Sequence, residues 1–404
     1  MTKRHLVPVW LMGLTNLTYG LYGGVVAFAV PQLLGDRHTP EAAIASLTAI
    51  AYSPGFWAFL LSPILDVRFS RRFYAVALAL IAALTLVIAF LNLGNLPLLT
   101  IVLTLGFFCA YLYQSALGGW LSTITTAEEE NTLSVWISIG NTAGFSLMAI
   151  GCNQIVSHLS SHAVAFTLAA TVLAPILPFP FMPAPGPDRR LAKESFSQFF
   201  LDLVALVKRR QVLIAILLFA APAGTFSLTN FLGGHGADFH ATPAFVGLIG
   251  GIGAIGGLTG CFIFPLLARL LPLRPLYLAV GIAGSLTTLA LILLPHTPAA
   301  YAIIVISQNL FQMLAITVSM AIIFDTIGRH NPLAATTFCF ISSAYGLPIS
   351  YMLYVDSAGY RHHGIAGSLA FDAVTGITAS LLLAAMLFYL SRRSNQAAPA
   401  ADPA

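Results

Sequence analysis

The sequence predicts an all-α integral membrane protein: twelve transmembrane helices in two six-helix bundles. Three observations carry that prediction, namely how little charge there is, how the remaining charges are spaced, and a charged interval that divides the apolar segments six and six. Of 404 residues only 8% are Asp, Glu, Lys or Arg, whereas 58% are hydrophobic, and the mean hydropathy is +0.88. A water-facing surface cannot be covered with so few polar side chains.

Between consecutive charges lie nine long gaps: residues 5–35, 42–65, 73–127, 131–187, 211–237, 239–268, 275–324, 330–355 and 373–391. A spanning helix needs about 20 apolar residues. The gaps 5–35 and 42–65 therefore hold helices 1 and 2, and 211–237, 239–268, 330–355 and 373–391 hold helices 7, 8, 11 and 12. The gaps 73–127, 131–187 and 275–324 each hold a pair, helices 3 and 4, 5 and 6, and 9 and 10. Each pair has a turn-rich bend near its middle, at Asn92 to Pro97, Ser157 to His162 and Pro295 to Pro298. A transmembrane β-barrel would show alternating segments of about ten residues, and runs such as Ala75 to Phe90 do not alternate.

Basic residues set the orientation, because short cytoplasmic loops retain them. With the N-terminus inside, 16 of the 18 Lys and Arg residues fall in inner segments, and only Arg37 and Arg361 fall outside. Both termini are accordingly expected in the cytoplasm of a cell with a multi-pass protein in its inner membrane. The net charge of +4 reports this topology, and no nucleic-acid partner is expected. The basic start is followed by many more spans and no convincing cleavage site, so the first apolar stretch reads as helix 1 rather than as a signal peptide. Cys109, Cys152, Cys261 and Cys339 show neither paired nor metal-type spacing, so no disulfide, metal or cofactor is expected.

The charged interval Asp188 to Arg210 separates an N-terminal bundle (1–185) from a C-terminal bundle (211–391), leaving a tail at 392–404. Within the linker at 186–210, Phe196, Phe199, Phe200, Leu203 and Val207 share a helical face, the pattern of an amphipathic helix along the inner membrane surface. Pro63 and Pro265, and Arg72 and Arg274, recur at an offset of 202, and Asn131 and Leu133 recur as Asn331 and Leu333 at 200. The near-constant offset at equivalent loops favours a duplicated six-helix unit.

The six-plus-six layout and the charged inner loop after helix 2 resemble the major facilitator superfamily. That loop reads Ser62-Pro63-Ile64-Leu65-Asp66-Val67-Arg68-Phe69-Ser70-Arg71-Arg72. The superfamily's acid is kept as Asp66, but Ser62 stands for its first glycine and the basic pair arrives one place late. Phe56 to Asp66 and Asn331 to Phe338 look more like the branch of muropeptide permeases and acetyl-coenzyme A transporters, with siderophore permeases nearby. The resemblance implies a small-molecule solute carried across the bilayer, a non-enzymatic monomer, and a latch in which Asp66 is contested by Arg68, Arg71 and Arg72. It also implies that helices 1, 4, 7 and 10 line a central cavity.

On those helices stand Asn16 and Tyr19, Tyr111 and Gln114, Asn230, and Gln308, Asn309 and Gln312. Two readings are open for such amides and phenols: contact with solute, or hydrogen-bonded glue between helices worth about 1 kcal/mol or less each. No Lys, Arg, Asp or Glu lies in the middle of these helices, which disfavours a strongly anionic cargo and favours a neutral, zwitterionic or amphiphilic one. Asp372, about two turns into helix 12, is the candidate for proton coupling, with an interfacial structural acid as the alternative. Asp36 and Arg37 are either an outer gate pair or a solvated loop pair. Proton-coupled import is the expected function, and a proton-driven multidrug exporter is the competing one.

Gly251-Ile252-Gly253-Ala254-Ile255-Gly256 matches a dinucleotide fingerprint but lies within a spanning helix, where glycines at four-residue intervals instead suit close helix packing. A membrane enzyme would need a reactive cluster at one depth or a soluble domain, and the sequence offers neither.

Overall fold

The computed structural model describes residues 6–184, 201, 204–206, 208–225, 227–328 and 331–396. The amphipathic linker pattern falls almost wholly outside these residues, as do the side chains of Asp36 and Cys152. The described residues form twelve membrane helices: α1 (Val9–Gly35), α2 (Glu41–Leu60), α3 (Arg71–Leu91), α4 (Leu96–Ile124), α5 (Glu130–His158), α6 (His162–Phe181), α7 (Arg210–Ala220 and Leu228–Leu232), α8 (Pro243–Leu267), α9 (Leu273–Leu291), α10 (Pro298–Ile327), α11 (334–362) and α12 (365–396). The three expected bends coincide with the α3–α4, α5–α6 and α9–α10 reversals. Asn95 and Ser160 cap the helices that follow, their side chains accepting from Leu98 N and Ala163 N.

Three departures from regular helix matter. In α1 the chain kinks at Thr15-Asn16 and widens to a π segment at Val25–Ala29, a form that recurs at functional sites. The helix expected in the gap 211–237, α7, carries a break: helix stops at Ala220 and resumes at Leu228. Pro222 lacks the amide proton a helix needs there, and Gly224 adds backbone freedom. The boundary between α11 and α12 also moves, with the reversal at His363 and at Gly364, whose φ of 60° suits glycine.

The chain forms two compact units. One comprises Met1–Ile216, Cys261–Pro265 and Ser319–Leu347; the other comprises Leu217–Gly260, Leu266–Val318 and Pro348–Ala404. In the first, α1 and α5 approach through glycines: a Cβ on Gly144 would lie 2.5 Å from Leu21 N, and one on Gly24 would lie 2.7 Å from Met148 Cβ. In the second, part of the α8 glycine run packs on α10. A Cβ on Gly257 would lie 2.9 Å from Met313 Cγ, and one on Gly260 would lie 2.6 Å from Leu310 O. Gly247, Gly250 and Gly251 have open space instead. The fingerprint-like glycines thus sit in a membrane helix, and it is the later part of the run, from Gly253, that serves packing.

Candidate functional site

After α2, Pro63 opens a 3-10 turn, Ser62–Asp66, that places Asp66 within the first unit. The α11 helix begins at Ala334, just after Pro332, and its first amides have no partner within the helix. Asp66 supplies one. Its Oδ1 accepts from Ala335 N (3.2 Å), and its Oδ2 accepts from Thr336 N (2.8 Å) and Thr336 Oγ1 (2.7 Å). A carboxylate at a helix N-terminus is further favoured by the helix dipole.

Arg71, the first residue of α3, completes the arrangement. Its Nε donates to Asp66 Oδ1 at 2.7 Å, and its Nη2 donates to Pro332 O at 2.8 Å. Both charges are withdrawn from solvent, Asp66 to 1% and Arg71 to 2% exposure. Of the three arginines expected to contest Asp66, Arg71 bonds it in this structure. Arg68 is exposed and its guanidinium covers the Phe69 ring, while that of Arg72 covers the ring of Trp120.

The α1 and α4 candidates belong to the same unit. Tyr19 stands 6.0 Å from the rings of Phe107 and Tyr111 and 6.2 Å from that of Phe145. Tyr111 shares a 3.1 Å hydrogen bond with Ser343 Oγ. Gln114, three residues on from Tyr111 in α4, is buried, and its side chain makes no hydrogen bond among the described residues. Asn16, at the α1 kink, donates to Ile137 O over 3.3 Å, and its Oδ1 is buried without a partner among the described residues. Tyr19 and Tyr111 are thus brought together, whereas Asn16 faces α5.

In the second unit the α10 amides diverge. Gln308 donates from Nε2 to Thr288 Oγ1 at 2.6 Å, tying α10 to α9, and its buried Oε1 has no partner among the described residues. Asn309 donates to Val305 O on its own helix and lies against Gly253 of α8. Gln312 is half-buried, and Asn230 is exposed on the second piece of α7, Leu228–Leu232. Gln308 and Asn309 are therefore divided between α9 and α8, because consecutive helix positions point about 100° apart.

A second acid, absent from the sequence expectations, accompanies Asp372. Asp356 was expected to mark the outer limit of helix 11. With the reversal at Gly364, however, Asp356 and Asp372 stand equally far in along α11 and α12, about 12 Å of helix from the turn. The two helices meet closely there. The Cβ of any residue replacing Gly367 would collide with Gly359 O, and Ser368 Oγ donates to the backbone oxygen of Asp356 at 2.8 Å.

Where α7 resumes, Ser227 Oγ lies 2.6 Å from Asp356 Oδ2, to which it donates, and 3.4 Å from Asp372 Oδ1. Asp356 is fully buried and Asp372 is 7% exposed. Among the described residues no cationic nitrogen lies within 4 Å of either, and Asp356 Oδ1 has no hydrogen-bond partner. A cleft with room for a water molecule adjoins Asp372, lined by Pro222, Gly224 and Thr225 of the α7 break and by Ser285. The sequence signal for this pair was the equal spacing of two acids about His363-Gly364.

Comparison with known proteins agrees with this architecture. The Major Facilitator Superfamily family model matches residues 12–351. No curated protein matches the sequence. Solved structures with the same fold include a human organic anion transporter (14% identity, 95% of this chain and 100% of that one, TM-score 0.70). They also include the E. coli fucose:proton symporter (13%, 95% and 99%, 0.69) and a proton:xylose symporter (14%, 94% and 95%, 0.68). With twelve helices and a family match over most of its length, this multi-pass membrane protein belongs to the major facilitator superfamily of transporters.

Proposed function

We propose that this transporter imports a small neutral, zwitterionic or amphiphilic organic solute, muropeptide-like or siderophore-like, together with a proton. It does so by alternating access across the cytoplasmic membrane, with both termini inside. The observation that carries the coupling is Asp372, an almost completely buried acid with no cation within 4 Å among the described residues. An uncompensated charge in a membrane interior is costly, so such an acid is a functional group by default.

Two further features support the reading. Asp66 and Arg71 cap α11 with a contact that would have to break for the inner ends to move, which is what a conformational latch requires. Two of the similar structures are described as proton symporters of fucose and xylose, which are neutral solutes. The orientation is supported by the 16 inner basic residues. Tyr19, Tyr111 and Gln114 are the solute contacts favoured in the first unit, with Gln308 and Gln312 in the second. Asn16, Asn309 and Asn230 are better suited to helix packing or to the outer surface.

The test is uptake into proteoliposomes of the full chain under an inward proton gradient, with a labelled anhydromuropeptide and a ferric hydroxamate siderophore as probes. Accumulation of either is expected, and Asp372→Asn is expected to abolish accumulation while leaving counterflow intact. Gradient-driven extrusion of ethidium with no uptake of either probe would establish the exporter instead, and accumulation unchanged in Asp372→Asn would reject the coupling residue.

A further inference from the structure

We propose that Asp356, Asp372 and Ser227 form one two-carboxylate site that binds a single proton, held between α11 and α12 and sensed by α7 at its break. This rests on the proton-coupled reading above and adds to it a second acid, a stoichiometry and the element that responds.

The geometry allows few alternatives. A serine hydroxyl has one proton to donate, and Ser227 gives it to Asp356 over 2.6 Å. Toward Asp372, at 3.4 Å, the same oxygen has a lone pair left and can accept a proton that Asp372 carries. The chain of Asp372 to Ser227 to Asp356 is therefore satisfied by one added proton. With none, two negative charges share a buried site that has no cation within 4 Å among the described residues, an arrangement that strongly disfavours ionisation of both. Asp356 Oδ1 is likewise buried and has no partner among the described residues.

The other titratable groups near the break are Tyr351, whose hydroxyl donates to Ala220 O at 2.8 Å, and Tyr277, against Gly224. Neither supplies a positive charge.

The site can respond because α7 is interrupted beside it. Backbone without helical hydrogen bonds at membrane depth persists only where protein or a wet cleft satisfies it. Here Ala223 O is reached by Ser380 Oγ of α12 over a long 3.4 Å, and the cleft beside Asp372 opens on Pro222, Gly224 and Thr225. Binding or releasing the proton decides whether Ser227 bridges both acids or only Asp356, and hence whether the resumed α7 segment is tied to α12 as well as to α11.

The experiment uses the full chain in lipid bilayers and the proton itself as the probe, read as the carbonyl stretch of protonated buried carboxyl groups in infrared difference spectra upon acidification. The wild type is expected to show one such band, altered in Asp356→Asn and in Asp372→Asn and absent from the double variant. Ser227→Ala, which keeps both acids and is the control for misfolding, is expected to shift the band because its hydrogen bond is lost.

A spectrum of Asp356→Asn identical to the wild type would overturn the shared site. If Asp372→Asn alone then loses gradient-driven accumulation, the coupling reading of Asp372 survives that failure. Conversely, bands altered in both variants with accumulation intact would uphold the site and reject its use in coupling. Replacing choline by sodium at constant pH is expected to leave the band unchanged, and its loss would assign the site to a metal cation and overturn the proposal.

Discussion

Replacing Asp66 with Asn removes one charge while keeping the size of the side chain. The magnitude follows from what is left behind. Arg71 stays buried, at 2% exposure, without its counter-charge. Breaking one side of a buried ion pair typically costs about 3–5 kcal/mol. The dipole contribution of a carboxylate at the α11 N-terminus adds about 0.3–1 kcal/mol, and up to about 2 when partly buried.

Two features reduce the loss. Arg71 keeps the Pro332 and Asn331 carbonyls, and the Asn amide oxygen can still accept from Thr336. The net effect expected is therefore about 3 kcal/mol, or roughly a hundredfold in the population with α11 released. Cys339, five residues into α11 and fully buried, is a native reporter. In a background where Cys109, Cys152 and Cys261 are replaced by Ser, maleimide labelling of Cys339 is expected to quicken by about that factor, because labelling follows the open population when closing is fast. A rate within about threefold of the parent, from a protein that still melts cooperatively, would refute the capping argument and the lower bound of the magnitude with it.

Other consequences separate residues that the sequence left equivalent. Arg68→Ala is expected to change thermal stability by less than about 0.5 kcal/mol, since Arg68 is exposed, whereas Arg71→Ala should cost about 3 kcal/mol or more by stranding Asp66; equal melting temperatures would contradict this. Thr336→Val removes one hydroxyl donor but leaves the Thr336 amide on Asp66, so Cys339 labelling should quicken only about fivefold, for about 1 kcal/mol. Gly260→Leu should lower the melting temperature through overpacking against α10, at about 1–3 kcal/mol, while Gly251→Leu, which meets open space, should not. Tyr19→Phe should leave solute affinity near normal if ring contact dominates and Tyr19→Ala should weaken it, measured by competition for uptake; equal losses would assign the role to the hydroxyl.

The helix count and the bends were legible because each is encoded locally. A gap between charges measures a span directly, and a Pro- or Asn-rich bend inside a long gap marks a reversal. The missing parts depended on partners far apart in the chain. Nothing near Asp66 distinguishes Arg71 from Arg72, yet the start of α3 turns one toward Pro332 and the other over Trp120. The α10 amides likewise look like one polar patch, and only Thr288 on α9 and Gly253 on α8 separate Gln308 from Asn309.

Asp356 was missed for a different physical reason. Using charges as span limits assumes that every charge seeks water, and the assumption fails where two acids can share a proton. Asp66 and Asp356 are both buried acids, but they are accommodated in opposite ways. Asp66 is surrounded by donors, namely an arginine, two helix amides and a hydroxyl, which tie it to the start of α11. Asp356 has one hydroxyl and another acid for company. An ionised group fully satisfied by fixed donors resists change, which suits a structural clasp. A pair short of donors is sensitive to every proton that reaches it, which suits an energy input. The same residue type thus stands in two different settings, and what separates them is the number of donors each carboxylate can reach.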